Sequence, residues 1–595
     1  MKLLRHALSA AVVSGLASSV FASEPQAPLA ANTGHKKASD RPNIVFILTD
    51  DQDLQLDSLA YQPLVKKHLL DRGTFYAHHY CTIAVCCPSR VSLWTGKAAH
   101  NTNVTDVNPP YGGYPKFISQ GLNEDYLPVW LQQAGYNTYY TGKLFNSHNV
   151  QNYDKPFPAG FTGSDFLLDP FTYQYLNSTF QRNQDTPRSY EGQYLTDVLA
   201  SKAYGFLDDA VEDGKPFFLT VAPVAPHSNV RFSEVGDGPI KELMFQMTAP
   251  IPAKRHEHLF DDVVVPRGAS FNPEEPHAVN WIRDLPRLNQ TNVQYNDHFY
   301  RSRLRTLQAV DEMVEGIIER LNHHGILDNT YIIYTSDNGF HIGQHRLQPG
   351  KECGFEEDIN VPLIIRGPAV LEGVTTDVVT THTDLAPTIL SLFGIEARKD
   401  FDGIAIPLTK KGLEIATQQR HEHVNVEYWG FAMGEGEYGF PGVHLNNTYK
   451  ALRVVAPRYS LYYSVWCNNE HELYDLQTDP HQVNNLIPSG GQSWHATNVT
   501  ILDLPLHTVV ARLDSLLLVL KSCRGESCIK PWQVLHPAGD VSTLEEALDP
   551  RFDMFYGMEQ TKVAFSRCEQ GYILDAEGPQ EALMYRDGLR WDEWV

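Results

Sequence analysis

The chain has 595 residues, a formal net charge of -23 and 42% hydrophobic residues. A chain of that length buries a full core without disulfide staples, and its negative balance argues against non-specific attraction to nucleic acid or anionic membranes. The same charge disfavours long polyanions as substrates, although a local cationic pocket can still hold one anion.

The chain opens on a basic Met1-Lys2-Leu3-Leu4-Arg5, continues through small and apolar residues from Ala7 to Val20, and leaves by Val20-Phe21-Ala22. That pattern predicts a secretory signal peptide over residues 1–22, too short to span a bilayer, followed by a flexible leader over 23–40. No later stretch is long and apolar enough to cross a membrane. The mature protein is therefore expected in the secretory route or beyond it, in the extracellular space, cell wall, vacuole or lysosome. Asn103, Asn177, Asn289, Asn446 and Asn498 each begin a glycosylation acceptor triplet, in keeping with export.

Asn43-Ile44-Val45-Phe46-Ile47-Leu48 is a continuous apolar run ending in Thr49-Asp50-Asp51, the pattern of a strand buried on both faces. Phe217 to Val221 and Tyr331 to Tyr334 repeat it, and Val361 to Ile365 gives a fourth. Residues 229–300, rich in Pro, His and charge, form a long surface excursion that shapes a pocket mouth. Leu304, Leu307, Val310, Val314, Ile317 and Leu321 recur at three or four residues and predict one amphipathic helix stopping near Gly325. Strands alternating with helices predict an α/β fold with a mostly parallel central sheet over residues 41–420. From 421 to 595 short β-type runs, Leu461 to Val465 and Glu472 to Leu476, predict a smaller C-terminal α+β subdomain.

Chemistry gathers at the predicted strand ends. Asp50 and Asp51 follow the first strand and Asp337-Asn338 follows the strand through Tyr334, so both reach the crevice outside the carboxyl edge of an open sheet. Three carboxylates and an amide oxygen suit a hard cation, Ca²⁺ or Mg²⁺, better than Zn²⁺; the bland alternative is that Asp50, Asp51 and Asp53 cap a helix. Lys143, His227 and Lys351 follow comparable runs and could bind an anion, or be an ordinary surface lysine or satisfied histidine. Pro88 fits the first turn of a helix, which places Cys86 at a helix amino end with Arg90 one turn further in.

Cys86-Cys87-Pro88-Ser89-Arg90, continued by Val91-Ser92-Leu93-Trp94-Thr95-Gly96, resembles the signature of the sulfatase family. Thr335 to His341, His382 to Thr388 and Glu472 to Pro480 extend the resemblance from Asn43 to about Leu486. It implies an alkaline-phosphatase-like sandwich and conversion of Cys86, not Cys87, to formylglycine (3-oxoalanine) by the formylglycine-generating enzyme. It places Asp50, Asp51, Cys86, Asp337 and Asn338 on one metal ion, usually calcium and less often magnesium. Arg90 and Lys143 would steady the hydrated aldehyde, Asp337 would help ionise it, and His227 and Lys351 would contact the sulfate and the leaving oxygen. The hydrate attacks sulfur, and its second hydroxyl then expels sulfate and restores the aldehyde.

Two positions depart from the family pattern. Trp94 stands where a smaller aliphatic residue is usual, and Phe145 stands where a histidine often follows the lysine, with His148 as a candidate substitute base. Gly142-Lys143-Leu144-Phe145-Asn146 and the double cysteine are similar to the branch holding arylsulfatases and N-acetylglucosamine-6-sulfatases. The His382 segment is assigned to helix capping. The expected reaction is hydrolysis of a small aryl sulfate, with a 6-sulfated amino sugar as alternative substrate. A phosphohydrolase of the same superfamily and a non-catalytic sulfated-glycan binder are the remaining rivals. With Cys86 converted, seven of the eight cysteines remain, so at least one is free or pairs outside the chain; Cys523 and Cys528 are the local disulfide candidates.

Overall fold

A computed structural model describes residues 41–235, 242–439, 442–487 and 498–586. The expected signal peptide and leader lie outside the described residues. Five parallel strands form the middle of a ten-stranded sheet, in the order Thr330–Ser336, Asn43–Thr49, Phe217–Ala222, Asn137–Gly142 and Gly163–Leu167. Antiparallel strands extend both sides: Leu363–Arg366 pairs with Thr330–Ser336, and Thr179–Arg182 with Gly163–Leu167. The expected fourth strand is thus present but runs against its neighbour.

Every residue of Asn43–Thr49 is buried, which is why the run is apolar without alternation. Ile44, Phe46 and Leu48 face a layer containing Trp94, Phe218 and Ile389. Val45 and Ile47 face the opposite layer, where Leu199, Phe206, Leu307 and Val314 come from the helices Leu195–Asp213 and Gln290–His323. The second helix begins where the Asn289 side chain accepts from Asn292 N, and the chain turns away at Gly325, φ 67°. Trp94 fills the first layer, its ring 5.3 Å from Phe46 and 6.2 Å from both Tyr140 and Phe218. The departure at that position is absorbed by an aromatic cluster.

The excursion after His227 is more ordered than its composition suggests. Asn229–Val235 and Glu242–Thr248 pair as an antiparallel hairpin, and the last part of the segment is already helix from Gln290. The alternation of Val230 with Phe232, and of Phe245 with Met247, is the period-two signal for those strands. Further on, His423–Tyr428, Tyr449–Ala456, Tyr459–Trp466 and His471–Asp475 form an antiparallel four-stranded sheet. One face, with Leu452, Leu461 and Tyr463, packs on the helix Leu506–Leu520. The other, with Tyr449, Tyr462 and Trp466, packs on Tyr80, Cys353 and Phe355 beside the main sheet. Cys523–Cys528 and Cys467–Cys568 are bonded, the second a pairing with no local signal, and Cys81, Cys86, Cys87 and Cys353 are free. Among the described residues no helix is long and apolar enough to cross a membrane.

Gly142 closes the strand before Lys143 with φ 111°, and a Cβ there would collide with the Ala222 carbonyl. Gly142→Ala is therefore expected to lower unfolding stability by about 1–3 kcal/mol, read from denaturant melts, because an L-residue is strained there and the neighbouring backbone must move.

Candidate active site

The parallel strands deliver their carboxyl-terminal residues to one edge. Asp50 and Asp51 follow Thr49, Lys143 follows Gly142, Asp337 and Asn338 follow Ser336, and Ala225-Pro226-His227 lies just beyond Ala222. Pro226 bridges to Asp50. Because Leu363–Arg366 runs the other way, the segment leading into it, which carries Lys351, also reaches this edge. The helix Cys86–Thr95 aims its amino end at the same place. All nine predicted residues are buried there, none more than 6% exposed.

Their contacts form one charged network. Lys143 Nζ lies 2.8 and 2.6 Å from the two Asp50 carboxylate oxygens. Lys351 Nζ lies 2.7 and 2.6 Å from those of Asp51. Arg90 donates through Nε to Asp337 Oδ2 at 2.8 Å and through a terminal nitrogen to the Lys143 carbonyl at 2.6 Å. Three buried carboxylates are thereby matched by three buried cations, as low-dielectric surroundings demand. Arg90 also approaches Asp50 at 3.8 Å, beside residue 86.

Burial raises the carboxyl of Asp50, and with the neighbouring Asp337 charge it outweighs Lys143, pushing it up to about 7. Burial acts the same way on Asp51 but loses to Lys351 and His227, so Asp51 is held below the usual range. Asp337 is held lower still: burial is overcome by Arg90 and Lys143, and its Oδ1 accepts from the backbone of Asp51 at 3.0 Å and of Asn338 at 2.9 Å. A carboxylate so satisfied is held in its ionised form. Burial also lowers His227 to about 4. Its Nδ1 is 2.8 Å from the Ser228 carbonyl and so carries the proton, while Nε2 faces Asp51 at 3.6 Å.

Cys86 and Cys87 point to different worlds. Cys86 Sγ is 3.4 Å from Asp50 Oδ1 and 3.8 Å from Asp51 Oδ1. Cys87 sits in the apolar layer with Phe46 and Trp94. Burial pushes the Cys86 thiol well above its ordinary value despite Lys143 and Lys351, so as a thiol it is no nucleophile at neutral pH. Its sulfur stands where an oxygen on the same Cβ would stand after oxidation.

Ligand atoms of Asp50, Asp51, Cys86 and His227 all lie within 4.8 Å of one another, enough to hold a metal ion. Asn338 Nδ2 donates to Asp51 Oδ1 at 2.8 Å, while its buried Oδ1 has no hydrogen-bond partner. An orphaned carbonyl oxygen beside a carboxylate cluster fits a hard, oxygen-seeking cation. Asp53 takes a structural part instead, accepting from Ser58 N at 3.2 Å and from Arg303 at 2.9 Å.

Several residues that pattern reasoning did not single out complete the site. Tyr173 stacks on His227 at 4.2 Å, lies 4.8 Å from Lys143 Nζ, and accepts from Asn146 at 2.7 Å. Glu435, from the segment between two C-terminal strands, pairs with Lys351 at 3.2 Å and accepts from the Ser228 hydroxyl. Ser89 links the Asp337 carbonyl, 2.5 Å, to His382 Nδ1, 2.9 Å, while Thr381 and Asp384 form the capping box expected of that segment. Neither candidate for the usual histidine enters the site. Phe145 packs on Phe117 at 4.6 Å, and His148 is buried between Tyr114 and Phe166. Of the glycosylation acceptors, Asn289, Asn446 and Asn498 are exposed, whereas Asn103 and Asn177 are half-buried.

A cleft of about 460 Å³ opens over Cys86, His227 and Lys351. Its lining includes a polar wall of Asn108, Asn146, Asn149, Gln151 and Asp169 and an apolar one of Val230, Phe232, Phe245 and Met247 from the hairpin.

The sulfatase family model matches residues 42–395, and the C-terminal model of N-sulphoglucosamine sulphohydrolase matches 343–499. An arylsulfatase of Volvox carteri is 40% identical over 542 residues, 87% of this chain and 80% of that protein. N-acetylglucosamine-6-sulfatase of Capra hircus is 31% identical over 532 residues, 84% of this chain and 87% of its own. Among solved structures, a protein in complex with D-glucosamine-2-N,6-O-disulfate aligns with TM-score 0.58 at 24% identity, covering 77% of this chain and 94% of that one.

His148 offers a pH test of its placement. Burial lowers it to about 3, and its ring nitrogens have no close partner beyond the Tyr153 backbone. The unfolded chain therefore binds a proton below about pH 6.5 that the folded chain refuses, and stability falls as the pH drops from 6.5 towards 3. His148→Phe should flatten the slope of stability against pH between 6.5 and 4 by up to about 1.4 kcal/mol per unit; an unchanged slope would place the ring in water.

Proposed function

Because the chain belongs to the sulfatase family and is a sulfuric ester hydrolase, we propose that it is an arylsulfatase using formylglycine at position 86 and one calcium ion. The observation that carries this reading is the divergence of the paired cysteines, Cys86 facing Asp50 and Asp51 while Cys87 packs in the core. Asp50, Asp51, Asp337, Asn338 and residue 86 would hold the ion, whose charge would strengthen an oxygen nucleophile and help accept the sulfate. A divalent ion added to three carboxylates and three cations leaves the site positive, the complement of an anionic ester and an ionised hydrate.

The chain's own groups do the rest. Oxidised residue 86, hydrated, presents an oxygen to sulfur in line with the ester oxygen. Arg90 locks Asp337, and Lys143 holds the nucleophile side. Lys351 and His227 face the departing oxygen; the bound anionic ester favours a second proton on His227 at Nε2, and the pair then supplies charge and a proton where negative charge builds as the S–O bond breaks. Tyr173 holds the His227 ring in place by stacking on it, and Glu435 pairs with Lys351. The second hydroxyl of the hydrate then releases sulfate and regenerates the aldehyde.

A small aryl ester suits the cleft, where Lys351 and His227 are the only basic side chains among its lining residues and Asp169, Glu352 and Glu435 add negative charge. A 6-sulfated amino sugar is the second reading, favoured by the amide wall of Asn108, Asn146, Asn149 and Gln151, which could pair with hydroxyls. The expected location is the secretory route or the extracellular space.

Peptide mass spectrometry of protein made in a secretory host should find the aldehyde at residue 86 and a thiol at 87; fully active protein with an intact thiol at 86 would sink the mechanism. On an alkyl or sugar sulfate, Lys351→Ala and His227→Ala should each lose on the order of 10²-fold in kcat/KM, and clearly less on nitrophenyl sulfate, whose leaving group departs unprotonated. Lys143→Ala should slow both substrates alike, and equal losses for all three variants would show the roles to be misassigned.

A further inference from the structure

We propose that the hairpin Asn229–Val235/Glu242–Thr248 is the leaving-group subsite, and that its cleft-facing side selects an aromatic ring. The inference rests on the sulfatase reading and specifies the substrate within it. Cross-strand register sets Phe232 opposite Phe245 and Val230 opposite Met247, so four apolar side chains share one face. All four line the cleft together with Cys86 and Lys351, while Arg231 and Gln246, one residue out of phase, are exposed.

The two pairs differ in depth. Val230 and Met247 are buried at 3% and 5% exposure, whereas Phe232 remains 39% exposed. The Phe232 and Phe245 rings lie 5.2 Å apart at 52°. The pair thus presents aromatic surface to a cleft whose floor carries Lys351, His227 and Glu435. The hairpin is also fixed to the chemistry, since it starts two residues after His227 and Val230 N donates to the Tyr173 carbonyl at 3.2 Å. A group leaving from the sulfur beside His227 and Lys351 therefore departs along this face.

Aromatic rings pack favourably on such a pair. A pyranose would offer the pair only its smaller C–H face and would set its rim hydroxyls beside apolar Val230 and Met247, so a flat aromatic ring gains more from this surface. The amide side chains that also line the cleft remain available to polar substituents on either kind of substrate.

The test compares Phe232→Ser and Phe245→Leu proteins, carrying the aldehyde at 86 and with melting temperatures measured alongside, on nitrophenyl sulfate and on N-acetylglucosamine 6-sulfate. The expected result is a rise in KM and a loss of about tenfold or more in kcat/KM for the aryl ester, with the sugar ester changed less than about threefold. The exposed Phe232 makes its replacement safe for folding, and the leucine variant keeps an apolar wall while removing the ring. Losses equal on both esters, or absent from both, would overturn the subsite while leaving the sulfatase reading in place. A greater loss on the sugar ester would assign the face to a glycan and also overturn it. Mature parent protein that cleaves neither ester would overturn the parent reading and the subsite with it.

Discussion

Three carboxylates buried at one edge of a parallel sheet are the constraint on which the rest of the structure depends. Asp50, Asp51 and Asp337 cannot be taken out of water unless each is compensated, and each has its own cation: Lys143, Lys351 and Arg90. The pairing explains why lysines sit almost fully buried, why the network spans residues drawn from positions 50 to 351, and why Asp337 is pinned as an ionised anchor. A buried ion network is a poor source of net stability; its persistence here makes sense as preorganised charge for binding an anion.

Backbone topology delivers these groups at little local cost. Parallel strands point their carboxyl ends the same way, so short extensions beyond Thr49, Gly142, Ala222 and Ser336 meet without long excursions. The antiparallel strand Leu363–Arg366 brings Lys351 in from the other direction. The helix carrying Cys86 then sets one thiol among the carboxylates and the next in the core, since successive residues on a helix face about 100° apart.

The C-terminal part of the chain contributes more than support. Glu435 reaches across to both Lys351 and Ser228, and Met433 N donates to the Glu352 carboxyl at 2.7 Å. The position of Lys351 thus depends in part on a C-terminal segment that lies far from it in sequence. Tyr173 plays a comparable part within the main domain, touching both Lys143 and His227.

Sequence alone determined what local pattern encodes. The unbroken apolar run Ile44 to Leu48 announces a strand buried on both faces, the spacing from Leu304 to Leu321 announces a helix, and Cys86 through Arg90 carries both the family likeness and the helix start. The site residues were legible because each follows a recognisable strand or motif. What only the tertiary structure decided lacks any local signal. Glu435 meets Lys351 at a sequence separation of 84, Cys467 finds Cys568 at a separation of 101, and the hairpin's apolar face becomes a cleft wall only once it is hung beside Cys86. His148 looked like a base because histidine titrates near neutrality, yet it packs between Tyr114 and Phe166, where burial disfavours its charged form and it does not line the cleft. Residue type and spacing fix which chemistry is available; burial and long-range contact fix which of those groups can perform it.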